Sequence, residues 1–550
     1  MNDRSLPFWW TLVCGFVLTV PIPTAAQSSA DFDPSWYNPD APHVQIGVTS
    51  DGVYRVAGSA LEDALPDGTT LSDISPETIR LLENGEEIPI HVEDADGGSL
   101  DGASTITFVG QRNRGTDELW AYNGDTSAQS STHRSLYSDT TYYWMTWGGE
   151  DGVRYEPNSP SSSSTTSALR DTTHIEQDQY YYFGRPGRTG NPLYTESEGY
   201  YWRRFRHNNT DPISDTYTLP VGRRADTDAS LDLTLRFDAE TASCHRVEIE
   251  GELRQSGGSV AFESLTTAEW QNADRATVET SLSQNQIPES GLRLRITSYN
   301  SGFADDSCPD PNETPNHVLF DWAEAAYTRS LSARDSDWQR FVAPTTDPET
   351  FALTGHTGDS VRVYSPADAQ RYTAPIDGDT ALVSASPTTA PAPHWAVGSS
   401  GFKDPVAIEP DAPSNWSNPD AHGADYLLLT TEALLPAAQQ LADYRRSHDG
   451  YEVEVALVQN VFDEFDYGRP TPIAIRRFVH ATQAWDRAPK FLSIFADAQY
   501  PIRDGSVDTL YPEWSVPSFG YSPSDGWFAM QSDGPNDWSE LLAVGRIPVR

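Results

Sequence analysis

The stretch DYLLLTTEALLPAAQQLADYRRSHDGYEVEVALVQNVFDEFDYGRPTPIAIRRFVHAT, residues 425–482, reads as strand and helix in alternation. Tyr426 to Thr430 is a short apolar run of strand formers. From Leu434 to His448 the apolar residues Leu434, Leu435, Ala438, Leu441 and Tyr444 recur at helical spacing, and Gly450 supplies a stop. Tyr451 to Val458 alternates Val453, Val455 and Leu457 with Glu452 and Glu454, a strand pattern. Thr471-Pro472 opens a second helix, with Ile473, Ile475, Phe478 and Val479 on its apolar face. Phe491 to Phe495 is a third buried strand that delivers Ala496-Asp497-Ala498 at its carboxyl end. Strands that alternate with helices pair in parallel, and ligands bind beyond the carboxyl ends of such strands.

This segment resembles the start of the catalytic domain of the gingipain family of cysteine peptidases. The resemblance rests on residues 425–482 and on KFLSIFADAQY (490–500), PSDGWFAM (523–530) and LLAVGRIPVR (541–550), in that order and spacing. It covers roughly the last quarter of the chain. Where the family has Gly-Asp after the third strand, this chain has Ala496-Asp497, which keeps a small residue at the turn. The resemblance implies a catalytic His, in a His-Gly pair, and a catalytic Cys, each after a later strand. Both are expected beyond Arg550, so that these residues form the N-terminal portion of a longer peptidase.

No residue present is expected to replace that pair. His422-Gly423 precedes the first strand and reads as a linker. A thiol must lie where an imidazole deprotonates it. The cysteines are Cys14, in the leader, and Cys244 and Cys308, far upstream of the sheet.

At 550 residues the chain is long enough for several domains. Its formal charge of −43 opposes binding to nucleic acid phosphates or an anionic membrane. Lys403 and Lys490 are its only lysines. A carboxylate-dense surface almost without Lys suits solubility in concentrated salt, so a halophilic source is expected. Arg4, the apolar run Phe8 to Val20 and the small residues Thr24-Ala25-Ala26 read as a signal peptide over residues 1–26. The apolar run is shorter than the ~20 residues of a membrane span. An exported chain that keeps two cysteines predicts one disulfide, Cys244–Cys308.

Residues 27–42 read as a disordered lead-in, and 27–157 as an all-β domain. His43–Val48 and Gly52–Val56, joined by Asp51-Gly52, read as a hairpin, as do the runs from Thr78 and Ile88 around Asn84-Gly85. Residues 158–212 read as a Ser/Thr/Pro linker followed by aromatic strands, Tyr180 to Phe183 and Tyr200 to Trp202. These aromatics are expected to cover a core rather than to bind glycan. Residues 213–333 read as a jelly-roll-like β-sandwich, 334–424 as a short β region and linker with a Pro/Ala/Ser-rich link at Ser384–Pro393, and 425–550 as the incomplete α/β peptidase domain. GVTSDGVYRV, ETIRLLENGEEIPI and STITFVGQR further resemble the N-terminal region of the type IX secretion sortases within the same family, and HVLFDWAEAAYTRSL resembles the close of their jelly-roll-like unit.

By resemblance, Asp497 and Asp525 line the active-site rim; capping or structural roles are the plainer reading for each. Arg546 is expected to pair with a rim carboxylate. Acidic loops at Asp305-Asp306, Asp310 to Glu313 and Asp533 to Asp537 offer oxygen ligands, so calcium is the one ion weighed; no cofactor is required. Two functions follow. The first is an exported peptidase of the periplasm, outer membrane or medium, acting on protein or peptide substrates such as secreted cargo, beside other type IX secretion components. The alternative is a non-catalytic surface protein carrying a degenerate peptidase fold.

Overall fold

Four parallel strands form the sheet of the C-terminal segment, in spatial order Val453–Leu457, Tyr426–Thr430, Phe491–Phe495, Ala543–Ile547. The computed structural model describes residues 32–93, 99–182, 194, 198–303, 316–333, 336–499, 514–520, 524–531 and 539–549. The expected signal peptide, Phe183, Cys308 and the three acidic loops lie outside these residues. Tyr426–Thr430 is buried on both faces, as an inner parallel strand must be. Leu427 and Leu429 face one helical layer, and Tyr426 and Leu428 face the other. Helix Leu435–Tyr444 closes with a wide turn ending at Gly450, whose φ of 72° only glycine adopts without strain.

Sequence reading missed a helix. Val458–Asp466 lies between the second strand and helix Pro472–Ala481. Val458, Val461, Phe462 and Phe465 do have helical spacing, but Asp463, Glu464 and Asp466 make the stretch look like an exposed loop. All three acids are buried. Glu464 accepts from the backbone N–H groups of Trp416 (2.9 Å) and Ser417 (3.0 Å). Asp463 accepts from Gln45 (2.6 Å) and Gln459 (2.9 Å).

These contacts show what the helix does: its C-terminal end docks on the N-terminal β unit. The indole of Trp36 donates to Glu464 O (3.1 Å) and that of Trp144 to Tyr467 O (3.0 Å). Tyr467 has a left-handed φ of 59°, disfavoured for a non-glycine residue, and its ring packs on Trp36 and Phe32. Residues 32–42 are thus anchored, against the expectation of a disordered lead-in: Pro34–Trp36 forms a helical turn and Tyr37 is buried. The two units also share one core. Ala121, Tyr122, Leu136 and Tyr137 pack with Leu427, Ile475, Phe478 and Ile494.

Asp411 lies on this seam and accepts from the Tyr37 hydroxyl (2.5 Å). Burial, aided by the Glu464 charge and partly offset by the Tyr37 hydroxyl, raises its pKa from 3.8 to about 6. The fold therefore favours the protonated acid. Its contribution is fully present below pH ~4 and is lost as pH rises through ~6, a change on the order of 3 kcal/mol. Asp411→Asn should remove this pH dependence. Melting of both proteins from pH 4 to 7.5 checks it: the variant's advantage should grow through pH 6, and parallel curves would refute the account.

The first predicted hairpin does not form. His43–Val48 pairs with Thr141–Thr146 and Ala407–Pro410, whereas Gly52–Ala57 pairs with Thr105–Gly110 in a second sheet. Asp51-Gly52 turns the chain between two packed sheets, a job with the same local signature as a hairpin turn. The Asn84-Gly85 hairpin does form, with φ of 50° and 78° at its two turn residues.

Two sheets of the sandwich enclose a core of Leu233, Leu235, Phe237, Val247, Ile249, Leu294, Ile296 and Phe320. The sandwich starts earlier than residue 213: Ala168–Glu176 and Arg203–Arg206 both pair with its longest strand, His317–Ser330. Tyr180–Tyr181 and Tyr200–Tyr201 form a small hairpin, and Trp202 is buried and stacks on Phe320 at 5.4 Å, so Trp202 serves the core. The polar "linker" is also paired. Glu156–Pro157 and Thr165–Thr166 add parallel to strands Gln370–Asp377 and Glu349–Thr354 of the third β unit. Backbone hydrogen bonds hold them, which side-chain pattern does not reveal. The Ser384–Pro393 link likewise falls inside that unit, between strands Thr380–Ala385 and Ala392–Val397. Cys244 is disulfide-bonded; its expected partner Cys308 lies outside the described residues.

Candidate functional site

In the order 2-1-3-4 the chain leaves the first and third strands in opposite directions, which opens a crevice at their carboxyl ends. Thr430 and Thr431 end the first strand; Ala496 and Asp497 follow the third. The Thr430 hydroxyl donates to Phe495 O (3.0 Å) and ties the two edges together.

Asp497 sits on this edge and is half-buried. Its Oδ1 accepts from the N–H of Ala498 (2.9 Å), and its backbone begins a short parallel pair with Ser515–Pro517. Asp525 opens the helical turn Asp525–Ala529 and accepts two hydrogen bonds from Arg546, both 2.7 Å. Arg546 also donates to the carbonyls of Asp497 (2.9 Å), Val516 (3.0 Å) and Pro517 (3.3 Å). One guanidinium thus joins both expected rim carboxylate residues, Asp525 through its side chain and Asp497 through its backbone. A lone Arg ending an apolar strand has to find such partners.

Beneath the rim, Trp527 is buried and stacks on Phe519 at 3.8 Å. Fully buried Arg476 lies over its ring at 4.7 Å and donates to Trp527 O. His480 donates to Met530 O at 3.0 Å. Sequence reading missed both as loop anchors, although each sits among apolar residues on the helix Pro472–Ala481. His422 is a linker residue as expected: it stacks on Trp416 at 4.6 Å and contacts Asn415 and Glu454. The described edge therefore holds a backbone crevice and a rigid carboxylate–guanidinium rim.

Comparison with known proteins accounts for this edge. Residues 420–550 match the model of Peptidase family C25. This is the gingipain family, so the resemblance and the expected multidomain β plus α/β fold both hold. Along 93% of its length the chain also superimposes on dimeric latent PorU from Porphyromonas gingivalis, at TM-score 0.58 and 16% identity. It covers 48% of that protein, about half its length. The CBM36-1 domain of a multidomain xylanase from the hindgut metagenome of Trinervitermes trinervoides covers 28% of the chain at 15% identity, with 96% of its own length matched. Its TM-score is 0.14, too low to carry an argument. No curated protein matches in sequence.

Within the C25 segment the Asp525–Arg546 pair supports the rim. Asp525→Asn should cost on the order of 1–3 kcal/mol and loosen residues 524–530 first. Hydrogen exchange checks this: faster exchange there, with the sandwich unchanged, is the expected result. Unaltered protection of that turn would contradict it.

Proposed function

We propose that these residues are the N-terminal portion of an exported cysteine endopeptidase of gingipain type, with a type IX secretion sortase role: removal of C-terminal signals from secreted cargo proteins. The C25 match over residues 420–550, on a parallel sheet with an open carboxyl edge, carries this reading. The PorU-like fold of the whole chain supports the sortase role within the family. The catalytic His and Cys belong to sequence beyond Arg550, after further strands of the same sheet.

In this mechanism the imidazole takes the thiol proton, and the thiolate attacks the scissile carbonyl. The imidazolium then gives its proton to the leaving amine, and water releases the acyl group from sulfur. The residues described here position the edge: Thr430 and Arg546 hold the two sides of the crevice, and Arg476 and His480 hold the loop below. Substrates are proteins or peptides. The strong negative charge sets nucleic acid aside. The exported location rests on the reading of residues 1–26 as a signal peptide. Reading the gene past Arg550 tests the proposal. A His-Gly pair after an apolar strand, with a Cys after the next strand, is expected. A continuation without that pair would leave the non-catalytic surface protein as the reading.

A further inference from the structure

The sheet built from Gly52–Ala57, Thr105–Gly110 and His91–Glu93 packs one face against a sheet of the third β unit. One end of this seam is apolar: Val53 and Val109 meet Tyr155, Tyr364, Trp395 and Val397. The other end is cationic. Strand alternation puts Arg55 on the face of Val53, and Thr107 on the face of Val109. Arg55 and His91 lie opposite Thr107 from its two sides, and Glu93 lies opposite Thr105. In the facing sheet, Arg362 is two residues from Tyr364 on strand Ser360–Ser365, and Arg371 lies directly opposite Tyr364. All three therefore share one face.

Contacts draw these groups together. Arg362 Nη1 (3.0 Å) and His91 Nε2 (3.4 Å) both face the same oxygen, Oε1 of Glu93. The guanidinium carbon of Arg55 lies 3.4 Å from the ring centre of Phe402, and that of Arg362 lies 5.9 Å from the same centre. Burial, then the charge of Arg362, lowers the pKa of Arg55, and Glu93 offsets part of this. Burial, then the charge of Arg371, lowers that of His91. The cations are thus close enough to repel one another.

Glu93 is the one carboxylate paired with this group among the described residues. Three guanidinium groups face it, so two positive charges are left over while His91 is neutral. That surplus sits inside a chain of formal charge −43. Hydrogen-bond donors are left over as well. Arg55 Nε, Arg371 Nε and Thr107 Oγ1 are buried without a partner, and Thr107 is 0% exposed. Such stranded donors are costly.

We infer that this end of the seam binds a small tetrahedral oxyanion of the phosphate or sulfate class. Guanidinium groups donate in forks that match such oxygens. One dianion balances the two surplus charges. The N–H groups of Arg55 and Arg371 and the Thr107 hydroxyl reach it from both sheets, so the ion ties the N-terminal β unit to the third. A long polyanion is disfavoured because the rest of the chain repels it.

The test uses the full chain, dialysed free of oxyanions and held at constant ionic strength with KCl so that screening does not change. Sodium phosphate is titrated by calorimetry and thermal melting, with sulfate and acetate as parallel arms. The parent protein should bind one phosphate per chain, with a rise in melting temperature that saturates. Sulfate should do the same, and acetate, with two oxygens, should bind more weakly. General exclusion of these salts from the surface also stabilises, but it does not saturate and is blind to single substitutions. Arg55→Gln should bind phosphate at least about tenfold more weakly and lose the saturable rise. Arg371→Gln gives a second reading should Arg55→Gln fail to fold. Phosphate affinity and thermal gain unchanged in the folded variants would overturn the proposal. So would a parent that binds neither phosphate nor sulfate in the chloride background, or one that binds acetate as tightly as phosphate.

Discussion

Asp466→Ala is expected to destabilise the protein by about 3–5 kcal/mol, because it strands a buried cation. Asp466 is 1% exposed and ends the helix that docks on the N-terminal unit. Its Oδ1 takes Arg477 (2.7 Å) and Arg469 (2.9 Å), and its Oδ2 takes the Thr471 hydroxyl (2.5 Å). Arg469 also pairs with Asp117 of the N-terminal unit and so keeps a counter-charge. Arg477 does not: among the described residues it would retain Phe465 O (2.9 Å) and the face of Phe32 at 4.2 Å. The matched control is Asp449→Ala, which breaks exposed pairs to Arg445 (2.8 Å) and His448 (2.7 Å) and should leave the unfolding midpoint almost unchanged. Replacing both partners, Asp466→Leu with Arg477→Met, should recover part of the loss, since a removed pair leaves no orphan charge. Denaturant unfolding measures all three. A loss below about 1 kcal/mol for Asp466→Ala would mean that water reaches this network.

The second large effect concerns salt. With 80 acidic and 37 basic residues, the formal charge is −43 and net repulsion among carboxylates is expected. At 0.1 M salt the screening length is ~10 Å, and neighbouring carboxylates still repel; at 1 M it is ~3 Å and they do not. Screening also weakens surface ion pairs, but each is worth only about 0–1 kcal/mol. The balance therefore favours stabilisation, and melting temperature should rise on the order of 10 °C from 0.1 M to molar KCl. Bound calcium is the competing cause. It acts at millimolar levels and a chelator reverses it, whereas screening survives the chelator. A melting temperature flat over that range would remove the halophilic reading.

Much of this was legible in the sequence, for reasons that particular residues show. Tyr426–Thr430 and Phe491–Phe495 are inner parallel strands, buried on both faces, so their apolar runs are unbroken. The pairing of Arg546 was legible because a cation at the end of an apolar strand has few ways to be solvated. The helix Val458–Asp466 was not, because its acids are satisfied by residues distant in sequence, such as Gln45 and Trp416. Residues 156–166 join a sheet by parallel backbone pairing, with polar side chains such as Asn158 and Ser162 bonding to it, which leaves no apolar strand signature.

The central claim is that this C25 segment belongs to a working cysteine peptidase whose nucleophile follows Arg550. The most direct measurement is thiol mapping on the protein expressed from its gene through the sequence after Arg550. Cleavage of a cargo C-terminal peptide is followed while an alkylating agent is titrated, and the modified cysteine is located by mass spectrometry. The account predicts that activity falls in step with labelling of one cysteine downstream of Arg550, and that residues 1–550 alone cleave nothing in a thiol-dependent way. Thiol-dependent cleavage by residues 1–550, or inactivation that tracks labelling of Cys244 or Cys308, would contradict it.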